Sequence, residues 1–231
     1  MKRSEINRII QDGLAFLDRM RFRLPPFAFW TPDDWRRKGP ECREIAERRL
    51  GWDVTDFGSG DFARTGLFLF TLRNGAPENA RRGEGKLYCE KIMIVRERQV
   101  TPAHFHFVKT EDIIVRGGGD LVIHLWNSDE REGVADSDVT VSVDGVLTTV
   151  PAGGAVVLKP GESVTLPQRL YHTFWAREGG GDALVGEVSL VNDDHTDNRF
   201  LAPIGRFSVI EEDAPLLHLL CNDYERYYRQ Q

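Results

Sequence analysis

Thr101-Pro-Ala-His104-Phe-His106-Phe-Val-Lys109-Thr-Glu111 holds two histidines one residue apart and a carboxylate shortly after them. An extended chain sends residues i and i+2 to the same face. His104 and His106 therefore point one way, and Phe105 and Phe107 the other. Parallel imidazoles can grip one ion, and Glu111, beyond a short bend, can close on it. A further ligand has to come from elsewhere in the chain. Three nitrogens and one oxygen suit a divalent transition metal that keeps positions open for water or substrate. A pair of histidines on a solvated strand is the bland alternative, so the surroundings decide.

Downstream, Asp120-Leu-Val-Ile-His-Leu-Trp126, Val139–Val143, Val146–Val150, Ala155–Leu158, Ser163–Thr165, Tyr171–Ala176 and Ala183–Val191 read as short strands. Asp144-Gly145 is a hairpin turn. Upstream, Gly66–Leu72 and Lys86–Val95 are strand-like; Arg73-Asn-Gly75 reads as a turn and the basic stretch from Pro77 to Gly85 as a loop. Gly117-Gly118-Gly119 is expected in a turn after the candidate ligand Glu111. Many short strands between Gly and Pro turns predict an all-β sandwich or barrel. A helix is expected over residues 4–22, capped by Ser4 and stopped by Pro25-Pro26. A second starts at Thr31-Pro-Asp-Asp34 and is expected to run to about Leu50. The tail from Ala214 to Tyr228 has helical spacing. The division expected is 1–51 helical extension, 52–212 β-barrel and 213–231 helical tail, together one domain.

The chain has 231 residues and a formal net charge of -6, which does not suggest affinity for nucleic acid or an anionic membrane. It has no apolar run long enough to span a bilayer. The N-terminus reads as an amphipathic helix, not a secretion signal. Cys42, Cys89 and Cys221 are widely spaced and odd in number, which fits reduced thiols in the cytoplasm.

The missing ligand is offered by Pro160-Gly161-Glu-Ser-Val-Thr-Leu-Pro167-Gln-Arg169-Leu-Tyr-His172. Here the chain resembles the cupin superfamily. His104, His106, Glu111 and Gly118 stand at the intervals of its first motif, without the leading glycine. Gly161, Pro167 and His172 match the second, with Arg169 in place of the inner glycine and Ala176 in place of the asparagine. From about residue 26 to 222 the chain is similar to the D-lyxose ketol-isomerase family of cupins. That likeness rests on Glu90-Lys91-Ile-Met, Val100–His106, Glu111–Gly119, Gly186–Asp194 and Thr196–Phe200. It implies a jelly-roll β-barrel with an N-terminal helical extension and a short C-terminal helix. It also implies a homodimeric, manganese-preferring isomerase that interconverts D-lyxose and D-xylulose, and often D-mannose and D-fructose. Zn, Fe, Co or Ni are the other ions the ligand set admits.

Aldose–ketose isomerisation moves a proton between C1 and C2, so it needs a Lewis acid and a shuttle. Lys109, between His106 and Glu111, is a candidate for the proton chemistry or for steadying an anionic oxygen. Glu211, or its neighbour Glu212, is a candidate base. Lys91, which alternates with Cys89 and Met93, and Glu187 are expected to face inward, toward substrate or in a salt bridge. Asp194 and Arg206 are candidates for holding sugar hydroxyls. Trp175 and Phe174 are candidate stacking rings, and His124 reads as a satisfied core histidine. Two other functions fit the same ligands: an Fe(II) dioxygenase, and a sugar-binding cupin without catalysis.

Overall fold

The structure is a computed structural model and describes residues 1–228. Helix α1 (Arg3–Arg19) forms as its periodicity predicts and buries Ile6, Ile9, Ile10 and Leu17. Ser4 is not its cap. Lys2 occupies that position, and Ser4 donates to the Asp213 carboxylate from both its amide (2.9 Å) and its hydroxyl (2.7 Å). Helix α2 (Pro32–Arg36) carries a capping box between Thr31 and Asp34. It does not continue to Leu50. Gly39-Pro40 interrupts it, because proline disfavours helical backbone in the residue before it. A 3-10 turn (Pro40–Cys42) and α3 (Arg43–Glu47) follow. A short α4 (Pro77–Ala80) sits in the basic loop, and the C-terminal helix is only α5 (Tyr224–Tyr227). The expected longer tail helix is absent. Leu220 bridges to Trp52 instead, and Leu216 and Leu219 pack with Trp35 and Cys221 rather than along one face of a helix. The part of the expected tail beyond residue 228 lies outside the described residues.

The strands are β1 (Gly51–Thr55), β2 (Leu67–Asn74), β3 (Tyr88–Val95), β4 (Thr101–His106), β5 (Glu111–Gly118), β6 (Leu121–Asn127) and β7 (Val139–Val143). They continue with β8 (Val146–Val150), β9 (Ala155–Leu158), β10 (Ser163–Leu166), β11 (Leu170–Ala176), β12 (Ala183–Leu190) and β13 (Asn198–Phe200). Two antiparallel sheets result: β1-β2-β3-β12-β5-β10-β7-β8 and β13-β4-β11-β6-β9. The mostly-β class stands, but the two sheets are not closed into a barrel. Two expected turns are strand: β2 runs through Arg73 and Asn74, and β5 through Gly117 and Gly118. Gly118 is tolerated there because its backbone turns left-handed (φ +80°), and a Cβ would meet the Asp182 carbonyl at 2.2 Å.

Side chains sort by strand alternation. Leu69, Met93, Ile113, Val115, Ile123, Leu125, Val164, Phe174 and Val185 fill the space between the sheets. Phe68, Phe70, Ile92, Ile94 and Leu184, on the other face, pack against α1 and Trp52. This contact is close: a Cβ built on Gly13 would lie 2.2 Å from the Phe68 ring, which Trp52 stacks against at 5.5 Å. Gly13→Val is therefore expected to destabilise. Helix propensity returns only a few tenths of a kcal/mol, whereas overpacking costs about 1–3 kcal/mol. The melting temperature should fall by about 2–4 °C for each kcal/mol in a chain of this size. A melt at or above wild type would contradict the pinned ring.

Candidate active site

The site lies between the sheets, where polar residues replace the aliphatic inner layer. Strand β4 points His104 and His106 inward while Phe105 packs outside against Tyr171 and Phe107. Strand β11 runs antiparallel beside it with His172 opposite His104. One ring nitrogen from each of His104, His106 and His172 lies within 4.8 Å of the others. The Nδ1 atoms of His104 and His172 sit 2.8 Å and 3.0 Å from the carbonyls of Pro102 and Leu170. A proton on each Nδ1 leaves Nε2 as the lone-pair nitrogen. The Nε2 of His172 is buried with no hydrogen-bond partner among the described residues, although Glu111 Oε1 is 3.2 Å away. Glu111 Oε1 also lies 3.5 Å from Nε2 of His106.

This donor set fits a divalent ion. Burial, followed by the neighbouring His172 and His106, holds His104 well below the usual imidazole range. Burial and Lys109 lower His106 as well. Both rings are thus neutral at neutral pH, as metal ligands must be. Burial alone would raise the Glu111 carboxyl, but Lys109 and His106 outweigh it and hold it well below the usual range.

Lys109 sits in the bend between β4 and β5. Asp197 fixes that bend by accepting from the amides of Val108 (2.7 Å) and Lys109 (3.1 Å). The buried Lys109 ammonium lies 2.8 Å from both Glu111 and Glu187. Burial disfavours its charge, yet the two carboxylates raise its pKa above that of a free lysine. It is an ammonium in this arrangement, not a base. Glu187 on β12 pairs in register with Lys91 on β3, and Lys91 Nζ lies 3.3 Å from its Oε1. Lys91 donates to Asn192 Oδ1 at 2.7 Å. Burial would raise the Glu187 carboxyl, but Lys109 and Lys91 hold it below the usual range. Further along, Arg206 pairs with Asp53 at 2.5 Å and Asp194 at 3.4 Å. Its Nη1 is buried with no partner among the described residues. Asp53, Glu111, Glu187 and Asp194 thus face Lys91, Lys109 and Arg206.

One cavity is lined by His104, His106, His172, Glu111, Lys109, Lys91, Glu187, Asp194 and Arg206. Nine of the residues singled out in the sequence are therefore brought together. Glu211 is not. Its backbone pairs with Lys2 and Arg3 at the start of α1, and its side chain is exposed away from the cavity. Glu212 instead binds Arg3. Phe174 does line the cavity, but alternation turns Trp175 to the outer face, where it stacks on His124 at 5.0 Å. His124 is satisfied by the Gly153 carbonyl (2.8 Å). Asp53, Asn192, Phe57 and Phe200 are site residues that sequence reasoning did not single out; a strand over residues 51–55 would have exposed Asp53 by its inward register.

The sequence model of the D-lyxose isomerase family matches residues 1–224. A D-lyxose/D-mannose isomerase of Serratia proteamaculans is 53% identical over 228 residues, covering 98% of this chain and 99% of that protein. One from Escherichia coli O157:H7 is 50% identical, covering 98% and 100%. Among solved structures, Cellulomonas parahominis L-ribose isomerase with L-ribose superposes with a TM-score of 0.60 at 19% identity, over 91% of this chain and 98% of that one. At that identity the likeness speaks for the fold alone.

Proposed function

Because this chain belongs to the D-lyxose isomerase family, we propose that it is a metal-dependent aldose–ketose isomerase acting on D-lyxose and D-xylulose, and on D-mannose and D-fructose. The observation that carries the reading is the pairing of two functions in one cavity. Three imidazoles and Glu111 form an ion-binding set, and Glu187 is a second buried carboxylate outside that set. An oxygenase or a passive binding protein has no need of the second carboxylate; proton transfer at carbon does.

In this reading His104, His106, His172 and Glu111 hold one divalent ion, which we take to be Mn(II). When bound, it supplies the Lewis acidity that makes the C2–H bond of an open-chain aldose acidic enough to break. Glu187, weakly basic beside its two lysines, takes the proton from C2 as the C1=C2 double bond forms and the carbonyl oxygen becomes anionic. The proton of the O2 hydroxyl passes to O1, and Glu187 returns its proton to C1 on the same face. Lys109 and Lys91 keep Glu187 ionised and fix its direction. Arg206, through its unpaired Nη1, and Asp194 hold hydroxyls further along the sugar.

All three cysteines are free and buried, which supports a reducing cytoplasm as the setting. No helix among the described residues is long and apolar enough to cross a membrane. A homodimer is the assembly we propose.

The test is incubation of Mn(II)-loaded protein with D-lyxose and assay for D-xylulose. Turnover that disappears on chelation and returns with Mn(II) is the expected result. Metal-loaded protein that converts neither lyxose nor mannose would overturn the reading.

A further inference from the structure

The wall of the cavity is not equally firm throughout. Most of it is fixed. His104, His106, Leu69, Met93, Ile113, His172, Phe174 and Glu187 stand on hydrogen-bonded strands. Lys109, Asp194 and Arg206 are tied by charge pairs.

Phe57 is different. It follows the end of β1, and the next residues, Gly58 to Asp61, are exposed. Its ring nevertheless turns inward, 4% exposed, to line the cavity. There it meets Phe200 edge-on at 5.6 Å, and Phe200 lies 5.5 Å from the His104 ring. The backbone of Phe57 is left-handed (φ +54°), which is uncommon for a bulky side chain. The conformation is imposed locally. The Phe57 amide donates to Thr55 Oγ1 at 3.0 Å. The Asp56 carboxylate accepts from the amides of Gly58 (2.9 Å) and Gly60 (3.0 Å) and from the Ser208 hydroxyl. Gly58 and Gly60 have positive φ and open space around them. A strained aromatic is thus held beside Phe200, which packs on His104, by a turn whose two glycines face open space.

We propose that Phe57 is the gate of the site and determines which sugars it admits. The ring swings out to let the sugar enter and closes over it, shielding the reacting carbons from water. This rests on the sugar-isomerase reading above.

The test compares Mn(II)-loaded wild type with Phe57→Ala. Removing the ring is expected to speed metal stripping by a chelator about tenfold, equivalent to about 1.4 kcal/mol of barrier, at unchanged metal content on loading. In D2O, wash-in of solvent deuterium into the sugar during isomerisation should rise, and kcat/KM for D-mannose should gain on that for D-lyxose. A folded, loaded variant with wild-type stripping rate, wash-in and sugar preference overturns the gate. Should the alanine variant not fold, Phe57→Leu gives the same readings with a smaller expected change. If wild type isomerises no aldose, the functional reading fails, while the stripping rates still decide whether Phe57 covers the site.

Discussion

Glu187→Gln leaves the protein folded and metal-loaded but lowers kcat by about 10²–10⁴-fold, the contribution typical of a positioned general base. Glutamine has the same shape and keeps an acceptor oxygen for Ser189, whose hydroxyl lies 3.1 Å from Glu187 Oε1. It loses the charge and the ability to take a proton. Each buried lysine keeps a hydrogen-bond acceptor, although Lys91 loses its ion pair and the fold loses some stability with it. Lys109 keeps Glu111 at 2.8 Å, and Lys91 keeps Asn192 at 2.7 Å. The loss therefore falls on catalysis more than on stability, and KM should change far less than kcat. Steady-state kinetics beside elemental analysis separates the two. Glu211→Gln is the natural control. Its exposed side chain is held away from the cavity by the pairing of its backbone with Lys2 and Arg3, so wild-type kcat is expected. If Glu187→Gln kept a rate within a few-fold of wild type, the proton would have to move through another group.

The part of this site that local pattern encodes was open to reading before the fold was known. His104 and His106 share a face because a strand has a period of two. The same period aims Lys91 inward beside Met93 and Glu187 inward beside Val185. What local pattern does not encode is which distant strand lies alongside. That His172 stands opposite His104 follows from the pairing of β11 with β4, and the resemblance, not the spacing, anticipated it. Glu211 failed as a candidate base for the same reason: nothing near it in sequence reveals that Lys2 and Arg3 capture its backbone. The long second helix failed on a local signal that was present, since Gly39-Pro40 is a breaker inside the predicted run. Phe57 left no signal. An aromatic beside two glycines reads as a surface turn, and only its left-handed backbone, visible once the chain is folded, turns the ring inward.

His172→Ala should abolish metal retention, and the cleanest sign is the loss of stabilisation by metal. In wild type, an ion that binds the folded state alone adds about 4 kcal/mol at a thousandfold excess over its Kd. For a chain of this size that is about 8–16 °C in melting temperature. The variant removes one of three nitrogens, the one whose Nε2 is buried without a hydrogen-bond partner. Losing such a ligand should weaken binding by more than the about 10–100-fold typical of losing an outer partner of a ligand. The apo protein should suffer little. Deleting the ring opens space in the inner layer, which destabilises, but it also removes an unsatisfied buried nitrogen worth about 1–3 kcal/mol. These effects oppose each other, so the metal-free melt should stay near wild type while the Mn(II)-dependent shift disappears. Metal content by elemental analysis should fall in parallel. A variant that still melted higher with Mn(II), by the wild-type margin, would show that the ion does not rest on His172, and the β4–β11 register would then have no bearing on chemistry.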